Sequence, residues 1–422
     1  MQFVSTRGMA KAVGASEAIM QGLAPDGGLY VPQEFPSVMH LPIHEISSYP
    51  ELAYEVLAPF FKGDLLEEDL PQICIDAFNF PVPLVELRPQ EMVLELYHGP
   101  TAAFKDFGAR FLAASMERIL AKQSRKLTIL VATSGDTGGA VAAAFAQREG
   151  IDVKVLFPKG RVSKRQQQQL TCWGGNIQAY EVEGTFDDCQ KMVKDAFMDE
   201  KIASEWGLSS ANSINLGRLL PQSVYYVYSS FLFQGSVGQK PTFIIPSGNV
   251  GNSCGAYWAH AMGSPIEQIA LALNANKTIV DYLDTGVYEK RASIATLANA
   301  MDVGAPSNME RLFHLYPDVD SMRKMVSAYS VDDKTIERTI KEVYDESGYI
   351  LCPHTATGER VRRDHFKGKP SIVISTAHPA KFEMVVEPLL NTIVEVPQNL
   401  KDLLEKPTSF VEVGTDYHQL FE

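Results

Sequence analysis

The chain has 422 residues, of which 45% are hydrophobic and 21% are charged, a composition typical of a well-packed protein with more than one domain. Asp and Glu number 51 against 38 Lys and Arg, which gives a net charge of −13 at pH 7. The positive residues form no long run that could follow a phosphate backbone, so we expect no nucleic-acid partner. An anionic ligand would meet a repulsive overall field and would need positive groups at its own site.

The cysteines and the N-terminal segment indicate the compartment. Cys74, Cys172, Cys189, Cys254 and Cys352 are widely spaced, contain no CxxC pair and are odd in number. Neither a disulfide framework nor a zinc site is therefore expected. The first residues lack the apolar core of a secretory signal, and no apolar run approaches the roughly 20 residues that cross a bilayer. We expect a cytoplasmic protein that binds no membrane and no metal.

The first regular pattern appears near residue 125. Residues 1–95 are rich in proline and turn-forming residues, as in APDGGLYVPQEFP, and predict an irregular N-terminal region. Further on, KLTILVA has the apolar character of a buried strand, TSGDTGG is a glycine turn, and AVAAAFAQRE predicts a helix that ends at Gly150. The apolar run IDVKVLFP then completes a strand–helix–strand unit.

The same alternation continues along the chain. A helix is predicted near 164–170, a strand at NIQAYEVE and a helix at FDDCQKMVKDAFMD. A second series begins with PTFIIPSGNVGNSCGAYWAHAMG and continues with strands at IALALNAN and PSIVIS. Alternating strands and helices indicate parallel sheets covered by helices.

We therefore predict an α/β protein with two open, mainly parallel sheets and an irregular N-terminal region. The N-terminal region would span 1–95, one α/β domain 96–235 and another 236–422, with approximate limits. The segment 225–241 is the candidate junction.

One lysine stands in the aromatic stretch HGPTAAFKDFGARF. Lys105 is close in sequence to Phe104, Phe107 and Phe111. A lysine among aromatic groups loses hydration, which lowers its pKa and frees the neutral amine for a Schiff base with an aldehyde. An aldehyde that also carries a phosphate points to pyridoxal 5′-phosphate. The alternative is a lysine whose stem packs on Phe104 while its ammonium reaches water or Asp106.

A glycine-rich loop follows the strand of the second series. In SGNVGN, Gly248 and Gly251 permit close approach of the backbone, and successive N–H groups can bind a phosphate. Equally, the two glycines could serve only a tight strand-to-helix turn. The loop is not GxGxxG, and no GxxxxGK[ST] occurs, so a dinucleotide or nucleoside triphosphate is disfavoured.

Two further loops carry candidate anion-binding groups. ATSGDTGGA offers hydroxyls near a helix N-terminus, which could bind a carboxylate, although Asp136 or Thr137 could instead be an N-cap. NSINLGR contains Asn212, Asn215 and Arg218, and only arginine provides a permanently charged, forked donor. A helix-capping or surface arrangement is the alternative for this second loop.

Seven motifs, in the same order, resemble those of the threonine synthase family. Members of this family are pyridoxal-phosphate enzymes of the tryptophan synthase β-subunit type (fold type II). The motifs are STRG, GLAPDGGLYVP, HGPTAAFKDFGARF, TSGDTG, NSINLGR, PSGNVGN and STAHPAKF. The resemblance implies conversion of O-phospho-L-homoserine and water to L-threonine and phosphate by β,γ-replacement, the last step of threonine biosynthesis. It covers the chain nearly from end to end.

The resemblance also implies roles for individual residues. Lys105 would hold the cofactor and then move protons at Cα and Cβ, Asp136 would lie by the cofactor's phenolic oxygen, and Thr376 would meet its pyridine nitrogen. The cofactor phosphate would be bound by Gly248, Asn249, Val250, Gly251 and Asn252. The substrate carboxylate would be bound by Thr133, Ser134 and Thr137, and the substrate phosphate by Ser213, Ile214, Asn215 and Arg218. Leu216 stands where some relatives have proline.

Two other functions share parts of this pattern. A threonine or serine dehydratase of the same fold needs no second phosphate site, so Arg218 discriminates against it. A non-catalytic metabolite-binding homologue has no use for Lys105. His98, His354 and His378 are expected to be hydrogen-bonding or structural residues, and Lys381 could add positive charge near Thr376. Both a monomer and a homo-oligomer remain open.

Overall fold

Parallel strands buried on both faces form the framework of this computed structural model, which describes residues 1–43, 45–123, 125–133 and 135–422. The strands are β1 (Phe3–Ser5), β2 (Tyr30–Pro32), β3 (Leu84–Arg88), β4 (Glu91–Glu95), β5 (Leu127–Ala132), β6 (Ile151–Pro158), β7 (Ile177–Val182), β8 (Leu208–Ser210), β9 (Thr242–Pro246), β10 (Gln268–Leu273), β11 (Val326–Ser330), β12 (Ser371–Ser375) and β13 (Val411–Val413).

Two larger sheets contain most of these strands. One has six strands in the order β11-β10-β9-β12-β4-β3, and the other has five in the order β13-β7-β6-β5-β8. The pairs of the five-stranded sheet are parallel, whereas β3 and β4 form an antiparallel pair at the edge of the six-stranded sheet. The predicted class, an α/β protein with two mainly parallel sheets, is confirmed.

Helices cover the sheets, and 3₁₀ turns occur at Asn299–Met301, Pro379–Phe382 and Tyr417–Leu420. The helices are α1 (Ala15–Gln21), α2 (Tyr49–Phe61), α3 (Leu70–Ala77), α4 (Lys105–Gln123), α5 (Asp136–Phe145), α6 (Lys164–Thr171), α7 (Phe186–Met198), α8 (Glu200–Trp206), α9 (Leu216–Leu219), α10 (Gln222–Val237), α11 (Gly251–Ala261), α12 (Thr278–Thr285), α13 (Met309–Leu315), α14 (Val319–Arg323), α15 (Asp333–Ser347), α16 (Pro353–His365), α17 (Glu383–Leu390) and α18 (Gln398–Leu404). In the described ranges, no helix is long and apolar enough to cross a membrane.

The central strand β9 shows why its sequence is a continuous apolar run. Phe243 and Ile245 belong to the large core that α10 and α11 also enter, whereas Ile244 belongs to a separate core with residues of α15 and α16. Successive side chains of a strand point to opposite faces, so both faces of β9 must be apolar.

The alanine-rich helix α5 ends at Phe145, earlier than predicted. The side-chain amide of Asn176 donates to the carbonyl of Phe145 at 2.8 Å, and its oxygen accepts from the N–H of Gln147 at 2.8 Å. Gln147 is in the left-handed region at φ 64°. A residue remote in sequence therefore ends the helix before Gly150, which the local pattern could not indicate.

The N-terminal region has more regular structure than its proline content predicted. Strands β1 and β2 form a small antiparallel sheet, and α1, α2 and α3 pack into the large core. Strands β3 and β4 already belong to the six-stranded sheet, where β4 pairs with β12. The predicted junction at 225–241 is mostly helix α10. The domain limits stay predictions, because the chain enters the six-stranded sheet more than once.

Gly108 sets the distance between α4 and α9, the short helix that precedes α10. A Cβ at Gly108 would overlap the backbone carbonyl of Arg218. Gly108→Ala is expected to lower the free energy of unfolding by about 1 to 3 kcal/mol, because backbone atoms must move apart. Thermal and denaturant unfolding of the apoprotein measure the change.

Gly139→Ala in α5 is the matched control for this substitution. A Cβ at Gly139 would meet the Cβ of Gln169 at an ordinary 3.4 Å. Helix propensity should then stabilise this variant by up to about 1 kcal/mol. Equal stability of the Gly108 and Gly139 variants would contradict the proposed close approach at Gly108.

Candidate active site

A cavity of about 380 Å³ lies between the carboxyl ends of the two larger sheets. Loops after β4, β9 and β12 of the six-stranded sheet and after β5 and β8 of the five-stranded sheet line it. Ligands of open parallel sheets bind at this end of the strands. The predicted residues that line the cavity are Lys105, Thr133, Asp136, Thr137, Ser213, Ile214, Arg218, Gly248, Asn249, Val250, Gly251, Asn252 and Thr376. Ser134 lies outside the described residues.

Lys105 is the first residue of α4, at the end of the loop that leaves β4. An isolated bridge joins Ala103 to Ala377, and the N–H of Phe104 donates to the carbonyl of Thr376 at 2.8 Å. These bonds hold the loop against the end of β12, so Lys105 and Thr376 reach the same cavity.

The aromatic surroundings of Lys105 differ from those predicted. The ring centroid of Phe104 lies 5.1 Å from Nζ of Lys105. Phe107 and Phe111 instead face the core, and each packs against Phe78 with ring centroids 6.1 Å apart. Successive side chains of a helix point in different directions, so proximity in sequence did not place these two rings at the amine.

Burial, more than aromatic contact, lowers the pKa of Lys105. Burial lowers the pKa of its amine, and the positive charges of Lys381 and Arg218 lower it further. Asp136 opposes them, with its Oδ2 3.8 Å from Nζ of Lys105. The resulting pKa of Lys105 lies below its ordinary value, which favours the free amine.

Asp106, the charged neighbour of Lys105 in sequence, has a different partner. Its carboxylate accepts from the N–H of Thr101 at 2.9 Å and from the hydroxyl of Thr101 at 2.6 Å. It therefore closes the turn before α4 and does not pair with the lysine.

Asp136 is buried at the start of α5, where it meets a second lysine. Nζ of Lys381 lies 2.9 Å from its Oδ1, and the amide of Gln166 donates to the same oxygen at 3.3 Å. Burial acts to raise the pKa of Asp136, but Lys381 and Lys105 outweigh it and hold the pKa well below the ordinary value. The carboxylate is therefore ionised.

Neither Asp136 nor Thr137 caps the N-terminus of α5. Gly135 is the N-cap position, and the hydroxyl of Thr133 accepts from the N–H groups of Gly135 and Gly138, both at 2.9 Å. Asp136 and Thr137 are left facing the cavity. The predicted N-cap alternative is wrong, because Thr133 already performs that function.

Gly248, in the loop after β9, has no room for a side chain. A Cβ at Gly248 would lie 2.7 Å from the Cα of Met301. The left-handed residue is Val250, at φ 64°, immediately before α11. A β-branched residue in this region is strained, and such strain is common at binding sites. The tight-turn alternative therefore does not account for Gly248.

Asn252 presents an unpaired donor to the cavity. Its Oδ1 accepts from the hydroxyl of Tyr225 at 2.5 Å and of Tyr226 at 2.8 Å. Its Nδ2 is buried and has no hydrogen-bond partner among the residues that the structure describes. Buried donors are normally paired, so this group indicates a ligand acceptor in the cavity.

Arg218 is a second unpaired donor in the same cavity. Its side chain is buried, Nη1 donates to the carbonyl of Ala211, and Nε has no partner within residues 1–43, 45–123, 125–133 and 135–422. Burial lowers the pKa of Arg218 to about 10, so the guanidinium is charged at neutral pH. A buried cation without a bound carboxylate indicates an anionic ligand.

Asn215 does not line the cavity. Its amide donates to the carbonyl of Ile19 at 2.9 Å, and its Oδ1 accepts from the N–H of Gly217 at 2.9 Å as the N-cap of α9. Its polar atoms are used within the protein, so it positions α9, the short helix that contains Arg218.

Asn308 and Arg311, which no sequence motif identified, bind the loops after β8 and β9. The amide of Asn308 donates to the hydroxyl of Ser213 at 3.1 Å and to the carbonyl of Asn249 at 3.0 Å. Arg311 donates to the carbonyl of Ser213 at 3.2 Å and of Ile214 at 2.7 Å. They follow a segment without a glycine loop or a recognised motif, so no local pattern marked them.

Of the three histidines considered, His354 lines the cavity. Burial lowers its pKa to about 4, and its Nε2 accepts from the N–H of Ala300 at 3.1 Å. His354 is thus neutral and holds the segment that contains Ala300. His378 accepts from the N–H of Ala380, and His98 contacts Glu95.

Three family models cover the chain: "Pyridoxal-phosphate dependent enzyme" at 77–376, "Threonine synthase N terminus" at 2–78 and "Threonine synthase, C-terminal" at 355–421. The threonine synthase of Haemophilus influenzae is 37% identical over 408 residues, which cover 96% of this chain and 95% of that protein. The Escherichia coli threonine synthase is 36% identical over 411 residues, with coverage of 97% and 95%. The chain belongs to the threonine synthase family.

A solved member of the threonine synthase family has the same architecture throughout. The X-ray structure of pyridoxal-phosphate-bound threonine synthase from Brucella melitensis superposes with a TM-score of 0.94 at 38% identity, covering 100% of this chain and 98% of that chain. As a threonine synthase family member, the chain is a pyridoxal-phosphate-dependent lyase. The expected cofactor and reaction class are confirmed.

The cavity residues of this threonine synthase family member fit pyridoxal 5′-phosphate. The cofactor requires an amine for its aldehyde and donors for its phosphate. Lys105 provides a buried amine of lowered pKa. The unpaired Nδ2 of Asn252 and the close approach at Gly248 provide a cradle without added bulk at the start of α11. A helix N-terminus favours a phosphate at this position.

Proposed function

We propose that this enzyme converts O-phospho-L-homoserine and water to L-threonine and inorganic phosphate. The observation that carries the proposal is Arg218, a buried guanidinium whose Nε has no partner in the described part of the chain and which lines the same cavity as Asn252, whose Nδ2 is likewise unpaired there. Two such donors, one in α9 and one in α11, fit two anionic groups, the phosphate of the cofactor and that of the substrate.

The cofactor would be held by three groups of residues. N–H groups of Gly248, Asn249, Val250, Gly251 and Asn252 would bind its phosphate. Asp136 would lie by its phenolic oxygen and Thr376 by its pyridine nitrogen. When bound, pyridoxal 5′-phosphate supplies the electron-withdrawing system that stabilises negative charge at the substrate's Cα and Cβ. Thr376 would moderate that effect, because a neutral hydroxyl does not keep a proton on the ring nitrogen as a carboxylate would.

The substrate would be oriented by its two ends. Thr133, Ser134 and Thr137, at the start of α5, would receive the carboxylate. Ser213 and Arg218 would receive the phosphate, while Asn215 would act through the shape of their loop. The carbons between the two ends would then face Lys105.

Lys105 would remove the proton at Cα and, after releasing that proton, remove one at Cβ. Once phosphate has left Cγ, one proton would be delivered to Cγ and, after the hydroxyl of water has added at Cβ, one would return to Cα. These transfers need an amine that can lose its proton near neutral pH. Burial and the neighbouring cations lower the pKa of Lys105 in that direction. One mobile base serving both carbons suits the loss of phosphate from Cγ.

Product analysis tests the function. The holoenzyme should release phosphate and form threonine from O-phospho-L-homoserine, with little ammonia release from serine or threonine. Ammonia release without use of the phosphorylated substrate would instead indicate a dehydratase. Binding of the cofactor without turnover of any of these compounds would indicate a non-catalytic homologue.

Asn252→Asp tests the phosphate cradle. The substitution keeps the acceptor for Tyr225 and Tyr226 but replaces the Nδ2 donor with a carboxylate oxygen. The Kd for pyridoxal 5′-phosphate should rise roughly 10- to 100-fold, because a hydrogen bond to a charged group is lost. Absorbance titration of the apoenzyme measures Kd. Asn391→Asp, at an exposed position, is the control. Unchanged affinity in both variants would remove Asn252 from the cradle.

A further inference from the structure

Lys381 is a buried lysine that none of the proposed roles uses. Its side chain is 0% exposed in the 3₁₀ turn that follows Thr376. Its ammonium contacts Asp136 Oδ1 at 2.9 Å and donates to the carbonyl of Thr101 at 2.8 Å. Asp136 follows β5 of the five-stranded sheet, and Lys381 follows β12 of the six-stranded sheet. The pair therefore joins the two sides of the cavity.

Asp136 lies between two lysines at unequal distances. Lys381 is 2.9 Å from one oxygen, and Lys105 is 3.8 Å from the other. His354 is neutral and its Nε2 already accepts a hydrogen bond. The charged and titratable groups near the Asp136–Lys381 pair in the described residues are Lys105, Arg218, His354, His378, Cys352 and Asp106.

The unequal distances have a chemical consequence for Lys105. A buried carboxylate with a single ammonium neighbour would stabilise the proton on that neighbour. In this site the nearer ammonium belongs to Lys381, so the charge of Asp136 is balanced when Lys105 becomes a neutral amine. The carboxylate of Asp136 then still has a positive neighbour, Lys381, when Lys105 has lost its proton.

We propose that Lys381 is a positioning residue, the counter-ion of Asp136, and that it thereby keeps the amine of Lys105 free to react and to move protons. The inference deepens the proposed function, since it rests on Lys105 as the residue that takes the cofactor. Lys381 acts only through Asp136 and Lys105.

The pH dependence of cofactor capture tests this inference. Apoenzyme is mixed with pyridoxal 5′-phosphate at a series of pH values, and covalent capture is followed by visible absorbance and by borohydride fixation on Lys105. In Lys381→Met the midpoint for capture should move up by about 1 pH unit or more, because Asp136 then stabilises the ammonium form of Lys105. Lys381→Arg keeps the charge, and its midpoint should stay near that of the unsubstituted protein.

The double variant Lys381→Met with Asp136→Asn separates charge balance from structural damage. Removing both charges should return the midpoint toward that of the unsubstituted protein, whereas a merely structural Lys381 would leave the double variant no better than the single one. Circular dichroism and thermal unfolding check the fold, and Lys381→Gln replaces Lys381→Met if the latter is unfolded. An unshifted midpoint in a folded Met or Gln variant, or a shift that persists in the double variant, overturns the inference.

The cofactor alone is the probe in these measurements. Failure of O-phospho-L-homoserine to react would refute the proposed function but would leave the midpoints intact. Failure of the midpoints to move would refute the role of Lys381 while leaving the product analysis unaffected.

Discussion

Lys105→Ala is expected to lower turnover of O-phospho-L-homoserine by about 10⁴-fold, the upper end of what a positioned acid–base group contributes. The upper end applies because the same amine is proposed to serve both Cα and Cβ. The variant should also lose covalent cofactor, although the phosphate cradle at Gly248 and Asn252 remains. Steady-state phosphate release measures the first effect, and mass spectrometry after borohydride treatment measures the second.

Lys122→Ala is the control for this loss, because Lys122 belongs to the same helix but pairs with Asp69 outside the cavity. Its turnover and cofactor content should match those of the unsubstituted enzyme. Activity of Lys105→Ala within about tenfold of the unsubstituted enzyme would show that another group moves the protons.

Arg218→Ala should reduce kcat/KM for O-phospho-L-homoserine by roughly 30- to 3000-fold, mainly through KM. The reason is the loss of a buried charged donor that is proposed to bind the substrate phosphate. Cofactor absorbance should be retained, because Asn252 belongs to α11 and Arg218 to α9. Arg218→Lys should recover part of the loss, since an ammonium keeps the charge but lacks the fork.

Two comparisons make the assignment of Arg218 specific. Arg161→Ala, at an exposed position after β6, should leave kcat/KM unchanged. Any residual ammonia release from serine should be equal in Arg218→Ala and the unsubstituted enzyme, because serine has no phosphate. A KM for the phosphorylated substrate that is unaffected by Arg218→Ala would exclude it from the second anion site.

The fold could be predicted where one segment contained all the information. The run IDVKVLFP at 151–158 is β6, and the helix predicted near 164–170 is α6, since burial on both faces and helical spacing are local patterns. The antiparallel strand pair β3–β4 was not predicted, because its place depends on pairing with β12 far along the chain.

The candidate site shows the same division. Motifs identified Lys105, the SGNVGN loop and Arg218, and the structure places them around one cavity. Contacts between remote residues were beyond local patterns: the need for Gly248 comes from Met301, and the ionised state of Asp136 comes from Lys381. The aromatic residues near Lys105 in sequence predicted a lowered pKa, and the pKa is lowered. The main causes are burial and the nearby cations Lys381 and Arg218, which the aromatic residues did not indicate.

Arg311 thermodynamically links the first strands of the chain to the loop after β8. Its buried guanidinium donates to the carbonyl of Tyr30 in β2 as well as to those of Ser213 and Ile214. Local opening of the β1–β2 sheet would therefore leave a buried donor unpaired and release one support of the loop that leads into α9 and Arg218. By linkage, a ligand that binds only the ordered loop also protects the two strands against opening. The N-terminal strands and the loop before α9 thus form one cooperative unit, although they are far apart in sequence.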